Sequence, residues 1–348
     1  MSFIKDYFTL TSQYTEEYGH NTILLMQCGA FFEVYGLKDK NDAIYGSNIC
    51  EFSRICDLNV VDKKVCVGND SVVLSGFKDH LVDKYIKKLQ DNGYTVAVYA
   101  QNDDAVAGQI TRSLLGVFSP GTYFSLDNDT ITNKTCCIWI QTQKKGLYSL
   151  LKSTNACSHV VYVGVALIDI YTGTSCIMEY SEQYIKNPTT FDELERFISV
   201  HCPSETIIIS NLGKDDINDI VSYVNIKSKA IHFVSIQEQD NIENKHQNKN
   251  VVNKNVVRAL NSEKQIYQAQ LLTKFYKFDD ISAFMTIFGE TVYATQSFCY
   301  LLDFIYQHNP NLVYKIAEPI IENTGVFSHL KDNIELIFSQ IKKSEVIE

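Results

Sequence analysis

Short apolar runs recur along this chain, each closed by Gly, Asn or Pro. None reaches the roughly eighteen residues that a membrane-crossing helix needs. Such runs are rich in β-branched side chains and too short for independent helices, so they read as buried strands. In the first third they fall at 22–28, 64–68, 72–76, 95–100 and 114–118. Further on, an apolar run at 160–170 is followed by Tyr171-Thr172-Gly173-Thr174 and a return run at 175–180, a hairpin signal. Another run lies at 205–210. A chain built this way folds around sheets.

Helical spacing separates these strands. Residues 3–18 read as a helix. Residues 79–92 do too, with Leu81, Tyr85 and Leu89 four apart on one face and Asn92-Gly93 as the stop. A third helix is expected at 190–200, where Phe191, Leu194 and Ile198 share a face. Residues 240–255 are rich in Asn and Lys and poor in aromatics, which reads as a linker. Beyond it the pattern is helical, with Phe298, Leu301, Leu302 and Ile305 forming an apolar stripe. These shifts divide the chain into an α+β unit (1–125), an α/β unit with a mixed sheet (126–255) and a helical segment (256–348). No fixed-period repeat occurs.

With 45% hydrophobic and 21% charged residues, the 348-residue chain has apolar mass for real cores. Its net charge is −10. Residues 1–125 carry 11 basic and 15 acidic groups, and neither other segment is basic. Composition therefore argues against a strong stand-alone nucleic-acid binder. The ten cysteines form no Cys-x-x-Cys pair and no zinc spacing with His. The start has neither a secretory core nor a transit-peptide composition. Reduced thiols in an intracellular compartment are expected, whether cytoplasm, nucleus or mitochondrion.

One string carries more specific information. Gly29-Ala30-Phe31-Phe32-Glu33-Val34-Tyr35 resembles the mismatch-recognition motif of the MutS family of DNA mismatch repair proteins, which reads Gly-Asp-Phe-Tyr-Glu. Landmarks in the same order support it. Ser75-Gly76-Phe77 with His80 is similar to a later segment of that family's first domain, as is Asn92-Gly93-Tyr94-Thr95-Val96-Ala97. Arg112 and Ser119-Pro120-Gly121-Thr122 resemble the segment that closes that domain. Gly164-Val165-Ala166-Leu167-Ile168-Asp169 with Thr172-Gly173, and Pro203-Ser204-Glu205, resemble the connector domain. Ala294 to Leu302 resembles the first helix of the core domain. The AT-rich residue usage fits the divergent variety of giant viruses and some mitochondrial genomes. Three departures, at Ala30, Phe32 and Gln27, each remove a polar group expected near DNA.

The resemblance implies a multidomain α/β and α+β architecture. A mixed-sheet mismatch-recognition domain would be followed by an RNase H-like connector and the start of an all-helical core domain. It implies binding of double-stranded DNA carrying mismatches or small loops. Phe31 would be the wedge stacking on a mispaired base, where unstacking is cheapest. Glu33 would hydrogen-bond a base edge. Arg112, Lys78, Lys84, Lys87 and Lys88 are candidate phosphate contacts; His80 reads as a packed or capping residue.

Family proteins are ATPases, yet the phosphate-binding pattern Gly-x-x-x-x-Gly-Lys-Ser/Thr is missing: Gly213-Lys214 is followed by Asp215. The chain thus reads as the N-terminal part of such a protein, a fragment, split gene or truncated frame. No enzyme activity, catalytic residue, metal or cofactor is expected of it. ATP and Mg²⁺ are implied only for a full-length member, and so are an ATPase portion and a homodimer partner; no membrane partner is expected. An alternative is a repair-partner interaction module that has lost DNA binding. A third reading is an RNase H-like nuclease, because Asp169 ends what reads as the first strand of the second unit, with Glu179, Glu182, Asp192 and Glu205 nearby in sequence. Capping of the turn at Thr172-Gly173 is the preferred role for Asp169.

Overall fold

The computed structural model describes residues 2–102, 111–122, 132–144, 159–184, 188–237, 253–276 and 288–322. The expected linker at 240–255 lies mostly outside them.

The chain opens with helix α1 (Ser2–Tyr18), whose Ile4, Tyr7, Thr11, Tyr14 and Tyr18 repeat at three and four residues and are all buried. Strands β1 (Thr22–Cys28) and β2 (Phe31–Lys38) form a hairpin across Gly29-Ala30, where Gly29 takes a φ of 59°. Then come β3 (Ile44–Tyr45), α2 (Ile49–Cys56), β4 (Val61–Val67), β5 (Asp70–Lys78), α3 (Val82–Asp91), β6 (Thr95–Gln101) and β7 (Arg112–Phe118). They build a seven-stranded sheet in the order β4-β5-β2-β1-β6-β7, with β3 on β2 and only the β1–β6 pair parallel. Alternation along β1 and β2 divides the apolar side chains between two faces. Leu24, Met26 and Tyr35 pack under α1, while Ile23, Leu25, Phe32 and Val34 pack under α2 and α3. The unit has three layers.

The second sheet begins earlier than the sequence suggested. Strand β8 (Lys134–Lys144) precedes β9 (His159–Asp169) and β10 (Ser175–Gln183), and the three form an antiparallel meander. The hairpin at 171–174 is present, with Gly173 at φ 73°. Helix α4 (Asp192–His201) leads to β11 (Glu205–Ser210), and α5 (Lys214–Val224) to β12 (Ala230–Ser235); β11 lies parallel to β8 and to β12. The order is β12-β11-β8-β9-β10-β13, where β13 (Ile320–Ile321) returns from far downstream to lie parallel to β10. Helices α4 and α5 cover one face.

The other face is covered by the downstream helices α6 (Lys254–Ser262), α7 (Gln265–Phe275) and α8 (Val292–His308), with α9 (Pro310–Val313) after them. Cys137, Trp139, Ala166, Ile168 and Ile207 share one core with Leu272, Phe298, Leu301, Leu302 and Ile305. Among the described residues, then, the division placed at residue 256 does not separate two cores. A stripe of large apolar side chains on α8 needed a partner surface, and the apolar face of β8 and β9 supplies it. At Gly164 on β9 an added Cβ would lie 2.2 Å from the Tyr293 carbonyl carbon, so glycine is what lets the start of α8 approach the sheet. No helix among the described residues is long and apolar enough to cross a membrane.

Candidate nucleic-acid interface

The two adjacent phenylalanines of the motif diverge because strand side chains alternate. Phe32 is 4% exposed and packs near Phe77, whereas Phe31 is 45% exposed at the first position of β2. Its cross-strand partners are Cys28 on β1 and Lys78 on β5, so these three side chains form a row on the α1 face of the sheet. The next residues of β2 on that face are Glu33 and Tyr35. Tyr35 is fully buried under α1, against Tyr7 and Phe3. The exposed ring thus stands at the end of an otherwise covered strand.

Glu33 is half-buried and engaged. Its Oε2 accepts from Lys63 Nζ at 3.0 Å and from the Tyr35 hydroxyl. Lys63 also donates to Tyr35 Oη at 3.1 Å and lies 4.5 Å from that ring's centre. A bulge between Asp62 and Cys66, with Lys64 at φ 57°, interrupts the β4–β5 ladder next to Lys63. Gly76 is the residue opposite Glu33; a Cβ there would stand 2.6 Å from Phe32 O and 3.2 Å from Glu33 Cγ. Burial, then the bonds to Cys28 and Glu33, push the Tyr35 hydroxyl far above the ordinary tyrosine range, so it stays protonated as a donor to Glu33.

Arg112 lies at the same end of the sheet, where it is engaged internally. Its Nε donates to Gln27 O at 2.6 Å, and its guanidinium stacks 4.3 Å from the Phe3 ring centre. Gln27 accepts from the Gln101 N–H at 2.8 Å and donates to Gly29 O at 3.3 Å. The Gln101 amide, oriented by its neighbours, accepts from Arg112 Nη2 and Gly29 N at 3.2 and 3.1 Å. These bonds hold the Gly29-Ala30 turn that presents Phe31.

Several expectations need correcting. Phe32 faces the core, so that departure from the motif removes no polar group from an exposed surface. Gln27 is committed to the turn. Lys84, Lys87 and Lys88 are exposed on α3, the layer opposite the Phe31 face, and Lys84 and Lys88 reach back over the Tyr85 ring. Lys78 and Arg112 lie in the sheet at the Phe31 end, and α3 starts out from that same end, where the Asp79 N–H donates to Ala30 O at 2.9 Å. His80 is exposed rather than packed, 3.7 Å from Asp79 Oδ1. Lys63 went unnoticed in the sequence, because a lysine in a polar edge strand carries no signal until a bulge aims it.

The carboxylates weighed for a nuclease are separately employed. Asp169 ends the second strand of its sheet; the first, β8, contains no carboxylate. Asp169 Oδ1 accepts from Tyr171 N at 3.0 Å and Asn133 N at 3.2 Å, holding the turn. Glu179 accepts from Ala294 N at 2.9 Å, and burial raises its pKa. It pairs across the sheet with Gly164, five residues along β9 from Asp169, about 17 Å away. Glu205 is fully buried, accepting from Ser119 Oγ, Gly121 N and His232 Nε2 at 2.6, 2.8 and 2.6 Å.

Comparison with known proteins agrees with the family resemblance. Residues 1–127 match the model of MutS domain I. The chain is 25% identical over 331 residues to a DNA mismatch repair protein mutS homolog of Acanthamoeba polyphaga mimivirus, covering 90% of this chain and 27% of that protein. It is 26% identical over 218 residues to DNA mismatch repair protein MutS of Caldicellulosiruptor bescii, covering 62% of this chain and 21% of that one. For MutS of Persephonella marina the figures are 25% over 246 residues, 70% and 22%. The chain therefore spans about a quarter of the length of the curated relatives it matches. Residues 1–127 are thus similar to MutS domain I, and over most of its length the chain is similar to a mutS homolog.

Proposed function

We propose that this chain senses mispaired or looped DNA through Phe31, as a part of the mismatch-repair machinery. The observation that carries the reading is the exposed Phe31 ring at the open end of a rigid strand, fixed by a turn that Arg112, Gln27 and Gln101 brace. A flat apolar ring inserts where stacking is already weak, and base–aromatic stacking contributes about 1–3 kcal/mol. Glu33 lies two residues along on the same face, poised to exchange its bond from Lys63 for one from a base edge. Lys78, in the same row as Phe31, supplies phosphate attraction. The same resemblance supports a second unit that docks repair partners; nucleotide hydrolysis is implied only for a full-length family member. The strand order of the second sheet, an antiparallel meander extended by two parallel strands, supports the connector reading. No catalytic step is assigned to this chain.

The specific counter-observation is that Arg112 and Gln27 are occupied internally, which favours weak backbone contact and keeps the interaction-module reading alive. Low-salt fluorescence anisotropy decides between them, using a duplex with one G·T mispair or one unpaired T against the perfect duplex. Tighter binding to the defective duplex, lost in Phe31→Ala, is expected. Equal binding to both duplexes, unchanged in Phe31→Ala, would sink the sensor reading.

A further inference from the structure

At the outer edge of the second sheet, three metal-ligating side chains converge from separate stretches of chain. Cys176 is the second residue of β10, His201 is the last residue of α4, and Glu322 directly follows β13. The Cys176 Sγ, a ring nitrogen of His201 and a carboxylate oxygen of Glu322 all lie within 4.8 Å of one another. Among the described residues no other trio of Cys, His, Asp or Glu meets that condition.

The backbone explains the convergence. β13 is parallel to β10, with Cys176 opposite Ile320 and Ile177 opposite Ile321. Period two then puts Glu322, two residues past Ile320, on the face that carries Cys176. That face is the one α4 covers, and the helix ends at the site with His201 and the left-handed Cys202. His201 Nε2 and Glu322 Oε1 are already 2.9 Å apart. The Glu322 N–H is bound to Ile177 O at 2.8 Å, which fixes the start of that side chain.

We propose that Cys176, His201 and Glu322 bind a divalent zinc-class ion, with solvent in the remaining position. The donor set is one thiolate, one imidazole and one carboxylate, the mixture that a borderline-soft tetrahedral cation selects. Bond lengths of about 2.0–2.3 Å place the ligand atoms of such an ion roughly 3.3–3.8 Å apart, so the present arrangement closes with small rotamer adjustments. On binding, the metal takes the place of the Cys176 thiol proton, which leaves to solvent. The ion joins β10, α4 and the downstream β13. That third element needs a tether: it is two residues long, and its Ile320 and Ile321 are 68% and 39% exposed. A strand this short is not stable on its own.

The test uses the whole chain, freed of metal and titrated with Co²⁺ under reducing conditions. Expected are the visible bands of tetrahedral cobalt and a near-ultraviolet thiolate band, saturating at one equivalent and erased by Zn²⁺. Both should disappear in Cys176→Ala and weaken at least tenfold in His201→Gln and in Glu322→Gln. Cys202→Ala is the control, because this exposed thiol neighbours His201 and donates to Ser199 O instead. It should leave the bands intact. Circular dichroism confirms that each variant folds. Absence of a thiolate band in the wild-type chain would overturn the proposal. So would a band that survives Cys176→Ala and is lost in Cys202→Ala. Glu322→Gln keeps the test decisive if the Cys176 variant misfolds, since Glu322 is 39% exposed.

Discussion

At the scale of single residues, Glu33 constrains the sensor proposed above. A lone carboxylate two residues from Phe31 would repel phosphates, but Lys63 at 3.0 Å offsets its charge and Tyr35 shares its oxygen. The pair is mostly shielded, with side chains 17% and 27% exposed, so salt screens it less than a surface pair. In Lys63→Met the carboxylate is left without its counter-charge. The expected outcome is a three- to tenfold loss of low-salt affinity for any duplex, about 0.7–1.4 kcal/mol, with mismatch preference retained. Anisotropy across a salt series checks this, and unchanged affinity would remove Lys63 from the interface. The contrast with Phe31→Ala, where preference goes, separates charge balance from the wedge. Phe31 and Glu33 were legible in the sequence as candidates because their motif is local. Their partner Lys63 was not, since its approach depends on a bulge thirty residues downstream. For the three lysines of α3, helical spacing revealed the wet face but not the sheet face that the helix covers.

At the scale of elements, local strand signals held where the flanking chain punctuates them. The run at 205–210 became β11 with the same limits, and the hairpin at 171–174 formed. What local signals did not reveal were β2, β3, α2, β8, α5 and β12, and above all the return of β13 to β10 across more than a hundred residues. Long-range pairing is set by which surface is left to bury, and no window of sequence contains that information. Gly164 shows the same dependence. In sequence it is one glycine in an apolar strand; in the fold it is where α8 meets β9. Gly164→Ala must push the helix backbone away, at an expected cost of about 2–3 kcal/mol. Gly213→Ala has ordinary φ and its nearest new contact at 3.7 Å, so it should cost only the N-cap preference for Gly over Ala, about 1 kcal/mol or less. Urea midpoints at constant m-value compare the two. A neutral Gly164→Ala would mean that α8 is not seated on β9 as described.

At the scale of the whole molecule, the two units meet through buried titratable groups, and that junction gives stability its pH dependence. The Asn92-Gly93 stop brings α3 against the second unit, where a Cβ on Gly93 would stand 2.4 Å from Lys229 O. Glu205 binds Ser119 and Gly121 from the end of the first unit, and His308 of α8 lies 5.1 Å from the Tyr18 ring of α1. His308 is 3% exposed; its Nδ1 faces Phe304 O at 2.7 Å and its Nε2 has no partner. Burial pulls its pKa down from 6.5 to about 4, so the folded protein holds it neutral. The unfolded chain takes up the proton first. Stability is therefore complete above about pH 6.5 and falls as pH drops toward 4, by up to about 3 kcal/mol from this group. Burial alone would raise the Glu205 pKa, but the bonds from His232 and Ser119 win and hold it below the ordinary carboxylate value. Its contribution is present above that ordinary value and is lost as pH falls through the depressed one, lower than the His308 window. Urea unfolding at pH 7.0 and 5.0, in the wild type and in His308→Phe, isolates the first effect. The wild type should lose stability between the two pH values, and the variant should lose measurably less. Equal losses in both would assign the acid sensitivity to other groups and show that His308 is protonated in the fold, its unpartnered nitrogen satisfied by solvent at the junction.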